Sequence, residues 1–395
     1  MTHKENKDST HKTIKNRLMR KIQKAIFSVI AILLFFIGCR NGSVQNLNNS
    51  MKNEPTSFTD TNKKTITHGE ITVMSYNVLK YGNSCQAPNG IMHAYLKTII
   101  QNANPDILGL VKVNAFKLTA ADQNATGPVG FGDSILSSAL NVAYPGRYAF
   151  CPPTNIAGAD NMNLLFYDKN KFGFFSEITL CSFETDFDLY KLYYKKNLNP
   201  ADTSFLYIVL NHTKSGKEST KRDQQMQTVE DNIKKYFKRL PDLIDMGDFN
   251  LKNTEEPGYK LLTAGDNPDF RFFDPPFNPD SKLKYPADWT DNPDGFAKYL
   301  TTSTRKKDDN PNTCGTGGGA KLWFDHILIS PSIANGTGRF KYASNSYHTF
   351  GNDGLRNGIS VTSENHHNTT VPPEVSEALF QFSNKYPVML ELSVK

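Results

Sequence analysis

The sequence predicts a mixed α/β sandwich. Short apolar, strand-like runs recur from residue 70 to the C-terminus, and helical periodicity appears between several of them. The two kinds of element do not alternate strictly, as a simple doubly wound sheet would require. No internal repeat is present. The chain has 395 residues, 38% hydrophobic and 11% aromatic, which suffices for a substantial core in one large domain or two ordinary ones.

The N-terminus reads as a targeting segment. Residues 1–24 hold eight Lys/Arg and two acids, and so carry the whole formal charge of +6. The remainder is balanced, with no basic excess that would draw nucleic acid or anionic lipid in bulk, although a local basic face stays open. The apolar run Ala25 to Ile37 is short for a membrane span and has the shape of a signal peptide. Phe36-Ile37-Gly38-Cys39 resembles a bacterial lipobox, which implies a signal peptide over 1–39, lipid on Cys39 and a membrane partner through that lipid. The expected place is the bacterial cell envelope, periplasmic or surface-facing; an uncleaved anchor is the alternative. Residues 40–68 are polar and read as a flexible tether. Cys85, Cys151, Cys181 and Cys314 allow three disulfide pairings or none. Nothing indicates an oligomer.

From residue 69 the pattern is that of a folded domain. Strands are expected at Ile71 to Leu79, Ile107 to Val111, Arg147 to Cys151, Met162 to Tyr167, Phe172 to Leu180 and Leu189 to Tyr194, then at Ser204 to Leu210, Leu240 to Ile244, Leu322 to Ser330 and Tyr386 to Val394. Helices are expected at Ile91 to Asn102, where Leu96, Ile99 and Ile100 share a face, at Ser134 to Val142, and at about Thr220 to Lys238. Residues 251–322 form a loop-rich insertion.

Several polar residues fall at or near the ends of apolar strands: Asn77, His212, Asp248, Asn250, Asp325 and His326. Singly, each has an ordinary structural reading as a turn residue, a satisfied histidine or an edge carboxylate. Strand ends gathered at one sheet edge would place them in one cleft. In Met246-Gly247-Asp248-Phe249-Asn250, Gly247 permits a close backbone approach, and Asp248 and Asn250 would share one side of an extended chain.

Met74-Ser75-Tyr76-Asn77-Val78, Pro105-Asp106-Ile107-Leu108-Gly109-Leu110, Leu210-Asn211-His212-Thr213, Met246-Gly247-Asp248-Phe249-Asn250 and Phe324-Asp325-His326-Ile327 occur in an order that resembles the endonuclease/exonuclease/phosphatase (DNase I-like) superfamily over about residues 70–395. The resemblance implies a four-layer α/β sandwich, two β-sheets face to face between helices. It implies a metal-dependent phosphoesterase site with Mg²⁺ or Mn²⁺, in which Asp248, Asn250 and Asp325 are the weak metal candidates left and His212 contacts phosphate. Arg222 and Gln225 fit the family's helix after that histidine.

The sequence also departs from the family. Lys112 stands where the resemblance expects the metal-binding Glu. Asn384 and Lys385 stand where it expects the catalytic Asp-His pair. An ammonium has only donors to offer and repels a cation. These exchanges imply a degenerate site that is impaired in metal-dependent hydrolysis and binds a phosphate-containing or other anionic ligand, or a partner, at the old cleft. In that reading Lys112 takes the metal's place beside Asp248 or Asp325. The alternatives are a working phosphodiesterase or nuclease with a rewired site, and an interaction protein acting through the aromatic residues of the 251–322 insertion.

Overall fold

The computed structural model describes residues 69–82, 89–115, 131–195, 204–277, 293–306 and 315–395. The leader, Cys39, the tether, Cys85 and Cys314 lie outside them, as do Tyr285 and Trp289 of the insertion.

Two β-sheets form the centre. The first has the order β10 (Phe340–Tyr342), β12 (Val388–Val394), β1 (Ile71–Tyr81), β2 (Ile107–Asn114), β4 (Asn161–Asp168) and β3 (Tyr148–Phe150), with β11 (His348–Thr349) also paired to β12. The second runs β5 (Phe172–Cys181), β6 (Phe187–Tyr194), β7 (Phe205–His212), β8 (Leu243–Asp248) and β9 (Asp325–Ile329). Among the described residues only β1–β2 and β7–β8 are parallel pairs; the rest are antiparallel.

The sheets pack face to face. β2 lies against β7 and β8, and β1 against β8 and β9. At Gly109 the sheets approach so closely that a Cβ would meet Leu210 Cδ1 at 2.6 Å and the Met246 methyl at 2.7 Å. Helix α1 (Asn89–Ala103) packs on a second helix whose Phe382 touches the ring of Tyr76 on β1. Helix α2 (Ser219–Tyr236) buries Met226, Val229 and Ile233, and touches both β5 and helix α3 (Pro257–Ala264). The second helix on the first sheet is α4 (Pro373–Phe382). The architecture is thus a four-layer sandwich, as the sequence resemblance implies.

The expected elements are present with shifted ends. The eighth strand begins at Leu243 rather than Leu240, and the helix expected near Ser134 spans 131–143 with a π-helical turn at Leu136–Leu140. Cys151 and Cys181 are buried free thiols. In the insertion Phe270, Phe272 and Phe277 are buried and Phe273 is half-buried, so these aromatics pack on the domain rather than form a binding face.

Gly247 is the tightest backbone approach in the second sheet. Its φ is +150°, and a Cβ there would stand 1.9 Å from the carbonyl oxygen of Asn211 on β7. No rotamer relieves a clash with backbone. Gly247→Ala should therefore cost more than the ~1–3 kcal/mol of ordinary overpacking. Thermal melting by circular dichroism checks this; a melting point within two or three degrees of the parent would contradict it.

Candidate functional site

Strand pairing assembles the site. On the second sheet His212 pairs with Asp248, and Asp248 with Asp325. Directly paired residues of neighbouring strands point to the same face. These three side chains therefore form one row across β7, β8 and β9, on the face that carries Leu210 and Met246 toward the first sheet. Asn77, on the inner face of β1, completes the cluster: its Nδ2 donates to Asp248 Oδ2 at 2.6 Å. Its own Oδ1 accepts from Leu79 N at 2.9 Å, which fixes the amide.

Asn250 reaches the cleft by a different route from the one expected. Its φ is +48°, so the chain does not stay extended after Asp248 but enters the left-handed region. Asn tolerates that conformation better than most residues. The turn closes with Asn250 N donating to Asp248 Oδ1 at 2.9 Å, while Asn250 Nδ2 donates to Thr213 O at 3.0 Å.

His326 is not in this cluster. It pairs with Gly247, one step out of phase with Asp325, and so points away from the first sheet. It is fully buried there, with Nδ1 3.0 Å from Asp274 Oδ2 and Nε2 3.1 Å from Trp323 O. Trp323 stacks on the ring at 4.8 Å. The alternation that brings Asp325 in takes His326 out.

The residues that depart from the family pattern meet at the same place. The loop before β12 is pinned by Ser383, whose hydroxyl donates to Asn77 O at 2.7 Å and accepts from Lys385 N at 3.2 Å. This brings Lys385 into the row. Its Nζ lies 3.0 Å from Asp248 Oδ2 and 3.5 Å from Asp325 Oδ2, 4.5 Å above the ring of Phe324, in a side chain only 8% exposed. The contact to Asp248 is an ion pair by distance, a charge contact rather than an aligned hydrogen bond. Asn384 turns aside, donating to Thr316.

Lys112 does not make the ion pair expected of it. It sits in a bulge where the β2–β4 register shifts, with φ +62°, and lines the cleft with no carboxylate within ion-pairing distance among the described residues. Such bulges re-aim side chains.

The electrostatics follow from burial and these contacts. Burial pushes the Asp248 carboxyl up, but Lys385, His212 and the Asn77 hydrogen bond outweigh it and hold it below the usual range. Burial dominates at Asp325 and raises it despite Lys385. Lys385 loses from burial and gains more from the two carboxylates, so it stays charged. His212 is pushed down to about 4 by burial, with Lys112 and Lys385 adding to the effect, so its imidazole is neutral at pH 7. Its Nδ1 faces Asn161 Oδ1 at 3.2 Å, and its Nε2 has no hydrogen-bond partner among the described residues. Burial also lowers Lys112, with Lys385 and Lys80 adding and Asp248 opposing.

A cleft of about 670 Å³ opens above the row. Five lysines line it, Lys80, Lys112, Lys217, Lys252 and Lys385, against one carboxylate, Asp248. Lys80 pairs with Asp160 at 2.8 Å and Lys385 with the row, which leaves Lys112, Lys217 and Lys252 without a carboxylate among the described residues. Four non-glycine residues around this cleft are left-handed, Leu79, Lys80, Lys112 and Asn250, with φ between +48° and +62°. Strained backbone of this kind clusters at functional sites. Sequence reasoning missed Lys80, Lys217 and Lys252, although Lys217 and Lys252 lie just beyond the His212 and Asn250 motifs. Arg222 and Gln225 are braces: Arg222 makes a two-pronged pair with Glu256, and Gln225 holds Lys214 N and Phe183 O.

A divalent cation does not fit these residues. Mg²⁺ takes oxygen ligands at ~2.0–2.1 Å in near-octahedral order. Here an ammonium stands between the two carboxylates, both oxygens of Asp248 already accept hydrogen bonds, and Lys112 replaces the expected Glu. No group of three or more His, Cys, Asp or Glu among the described residues has the arrangement to hold a metal.

No protein-family model matches the chain, and no curated protein matches it. Solved structures are similar over 82% of the chain. The human Nocturnin catalytic domain with bound sulfate is 14% identical, with 94% of it covered and a TM-score of 0.48. A Bacteroides thetaiotaomicron mannosyl-6-phosphatase is 17% identical, with 99% covered and a TM-score of 0.47. An endonuclease/exonuclease/phosphatase family protein from the same organism is 15% identical, with 98% covered and a TM-score of 0.48.

Proposed function

We propose that this protein is a lipid-anchored binding protein built on a phosphoesterase-like scaffold: it holds a phosphate-bearing or otherwise polyanionic ligand in the lysine-lined cleft and does not carry out metal-dependent phosphodiester hydrolysis. The observation that carries the reading is the charge balance of the cleft, where Lys112, Lys217 and Lys252 have no carboxylate partner among the described residues around the row of His212, Asp248 and Asp325. A cleft lined by one sign of charge with apolar walls focuses its field and raises the local concentration of the opposite ion. The hydrolytic chemistry lacks its parts: the cation is displaced, and a lysine stands where the acid/base histidine is expected. The leader Lys4 to Lys24, the apolar run Ala25 to Ile37 and Gly38-Cys39 support lipid attachment at Cys39 and an extracytoplasmic place.

The test is calorimetric titration of the protein in EDTA with inorganic phosphate, pyrophosphate and a hexaphosphorylated inositol. Affinity should rise with ligand charge and fall with salt. Changing Lys112, Lys217 and Lys252 together to Gln should weaken binding about 100-fold, which is ~2.7 kcal/mol. Hydrolysis of a generic phosphodiester or DNA that appears on adding Mg²⁺ or Mn²⁺ would overturn the reading in favour of a rewired enzyme. For the anchor, Cys39→Ser should move the protein from the membrane to the soluble fraction.

A further inference from the structure

We infer that the Lys385 ammonium is a built-in cation that permanently fills the place between Asp248 and Asp325, and that removing it uncovers a latent divalent-cation site. The first support is position. Lys385 Nζ is 3.0 Å from Asp248 Oδ2 and 3.5 Å from Asp325 Oδ2, so one charge serves two carboxylates from adjacent strands.

The second support is the state of the oxygens. Among the described residues no well-aligned hydrogen bond reaches either carboxylate oxygen of the fully buried Asp325, although the nearby Thr301 hydroxyl also favours its charged form. A buried carboxylate left this way is costly unless a cation compensates it or a proton neutralises it, and among the described residues the only ion pair of Asp325 is with Lys385. The third is anchoring. Ser383 ties the Lys385 backbone to Asn77, the residue that also binds Asp248, and the ammonium is backed by the Phe324 ring. The cation is thus anchored through Asn77, which binds one of its two anions, and rests on Phe324, which directly precedes the other.

The consequence for the cleft is a division of labour among its lysines. Lys385 is committed to the row, and ligand charge is met by Lys112, Lys217 and Lys252. Once complexation of the ligand by the ion is accounted for, anion binding at the cleft should then be indifferent to divalent ions.

The experiment compares the parent, Lys385→Met, Lys385→Arg and the double variant Lys385→Met with Asp325→Asn. Each is titrated with Mn²⁺, read by calorimetry and by the melting temperature with and without 5 mM Mn²⁺. The parent and Lys385→Arg should show no binding and no shift. Lys385→Met should bind Mn²⁺ in the micromolar range and regain several degrees of melting temperature, and the double variant should lose that gain. If Lys385→Met folds only with Mn²⁺ present, the inference is supported. Micromolar Mn²⁺ binding by the parent, or a Lys385→Met protein that neither binds the ion nor is stabilised by it, overturns it. These outcomes are separate from anion affinity, so failure of the proposed ligand-binding function leaves them readable.

Discussion

At pH 8 the Asp245→Asn variant should be more stable than the parent, by up to ~4 kcal/mol, and the two should converge near pH 4. Asp245 lies on β8 but faces away from the cleft and is fully buried. Asn211 Nδ2 donates to its Oδ1 at 2.6 Å, and its Oδ2 has no partner among the described residues. Burial raises the carboxyl to about 7, against the Asn211 hydrogen bond. In the unfolded chain an aspartate titrates near ~3.9. Between those values the native state keeps a proton that the unfolded state has lost, so stability falls as pH rises from about 4 to about 7 and stays reduced above that. About three units at 1.36 kcal/mol each set the upper figure. Asn can still accept from Asn211 and has no charge to bury. His212 contributes the opposite slope, because its depressed pKa lets the unfolded state bind more protons between about 4 and 6.5. That slope is common to both proteins and cancels in their difference. Denaturant unfolding at pH 4 and pH 8 measures it; a difference that does not change with pH would refute the assignment.

How far the sequence could be read depends on what each signal encodes. Apolar runs record burial, so the strands of both sheets were legible. Their ends were less so: Leu240 belongs to the apolar run before β8 yet packs outside it, because only Leu243 onward pairs with β7. Helix α4 carried a readable pattern, with Val375, Ala378, Leu379 and Phe382 spaced for one face, and was missed all the same. β10 and β11, three and two residues long, exist because β12 offers them an edge, which no local signal announces. In the site, Asn77, His212, Asp248 and Asp325 were legible as polar ends of apolar strands. The role of Lys112 was not, because a bulge breaks the alternation that would aim its side chain. Lys385 was legible as an exchange in type, while its destination depends on Ser383 binding a strand about three hundred residues earlier. Lys217 and Lys252 belong to loops, where charge has no periodicity to read, and Lys80 sits at the end of β1 in a left-handed conformation that breaks the strand's alternation.

His326→Ala should cost about 3–5 kcal/mol of stability and leave anion affinity unchanged in the folded protein. The stability loss follows from the surroundings. Asp274 is fully buried and is held by His326 Nδ1 at 3.0 Å and by the Tyr259 hydroxyl at 2.9 Å. Removing the ring leaves a buried carboxyl short of a hydrogen-bond partner and opens a cavity beside it, and the two losses together give the magnitude. The substitution also strips the ring that Trp323 stacks on at 4.8 Å and that Phe249 meets edge-on at 5.7 Å. The unchanged affinity follows from strand parity. Asp325 and His326 are neighbours in sequence, but only Asp325 shares a face with Asp248 and His212. Melting temperature reads the first effect and calorimetric titration with pyrophosphate, below the variant's melting point, reads the second. A loss of affinity of tenfold or more in a stably folded variant would return His326 to the site. Retention of affinity with lost stability would establish that Phe324-Asp325-His326-Ile327 serves two structures at once, a carboxylate for the cleft and an imidazole for the core beneath the second sheet.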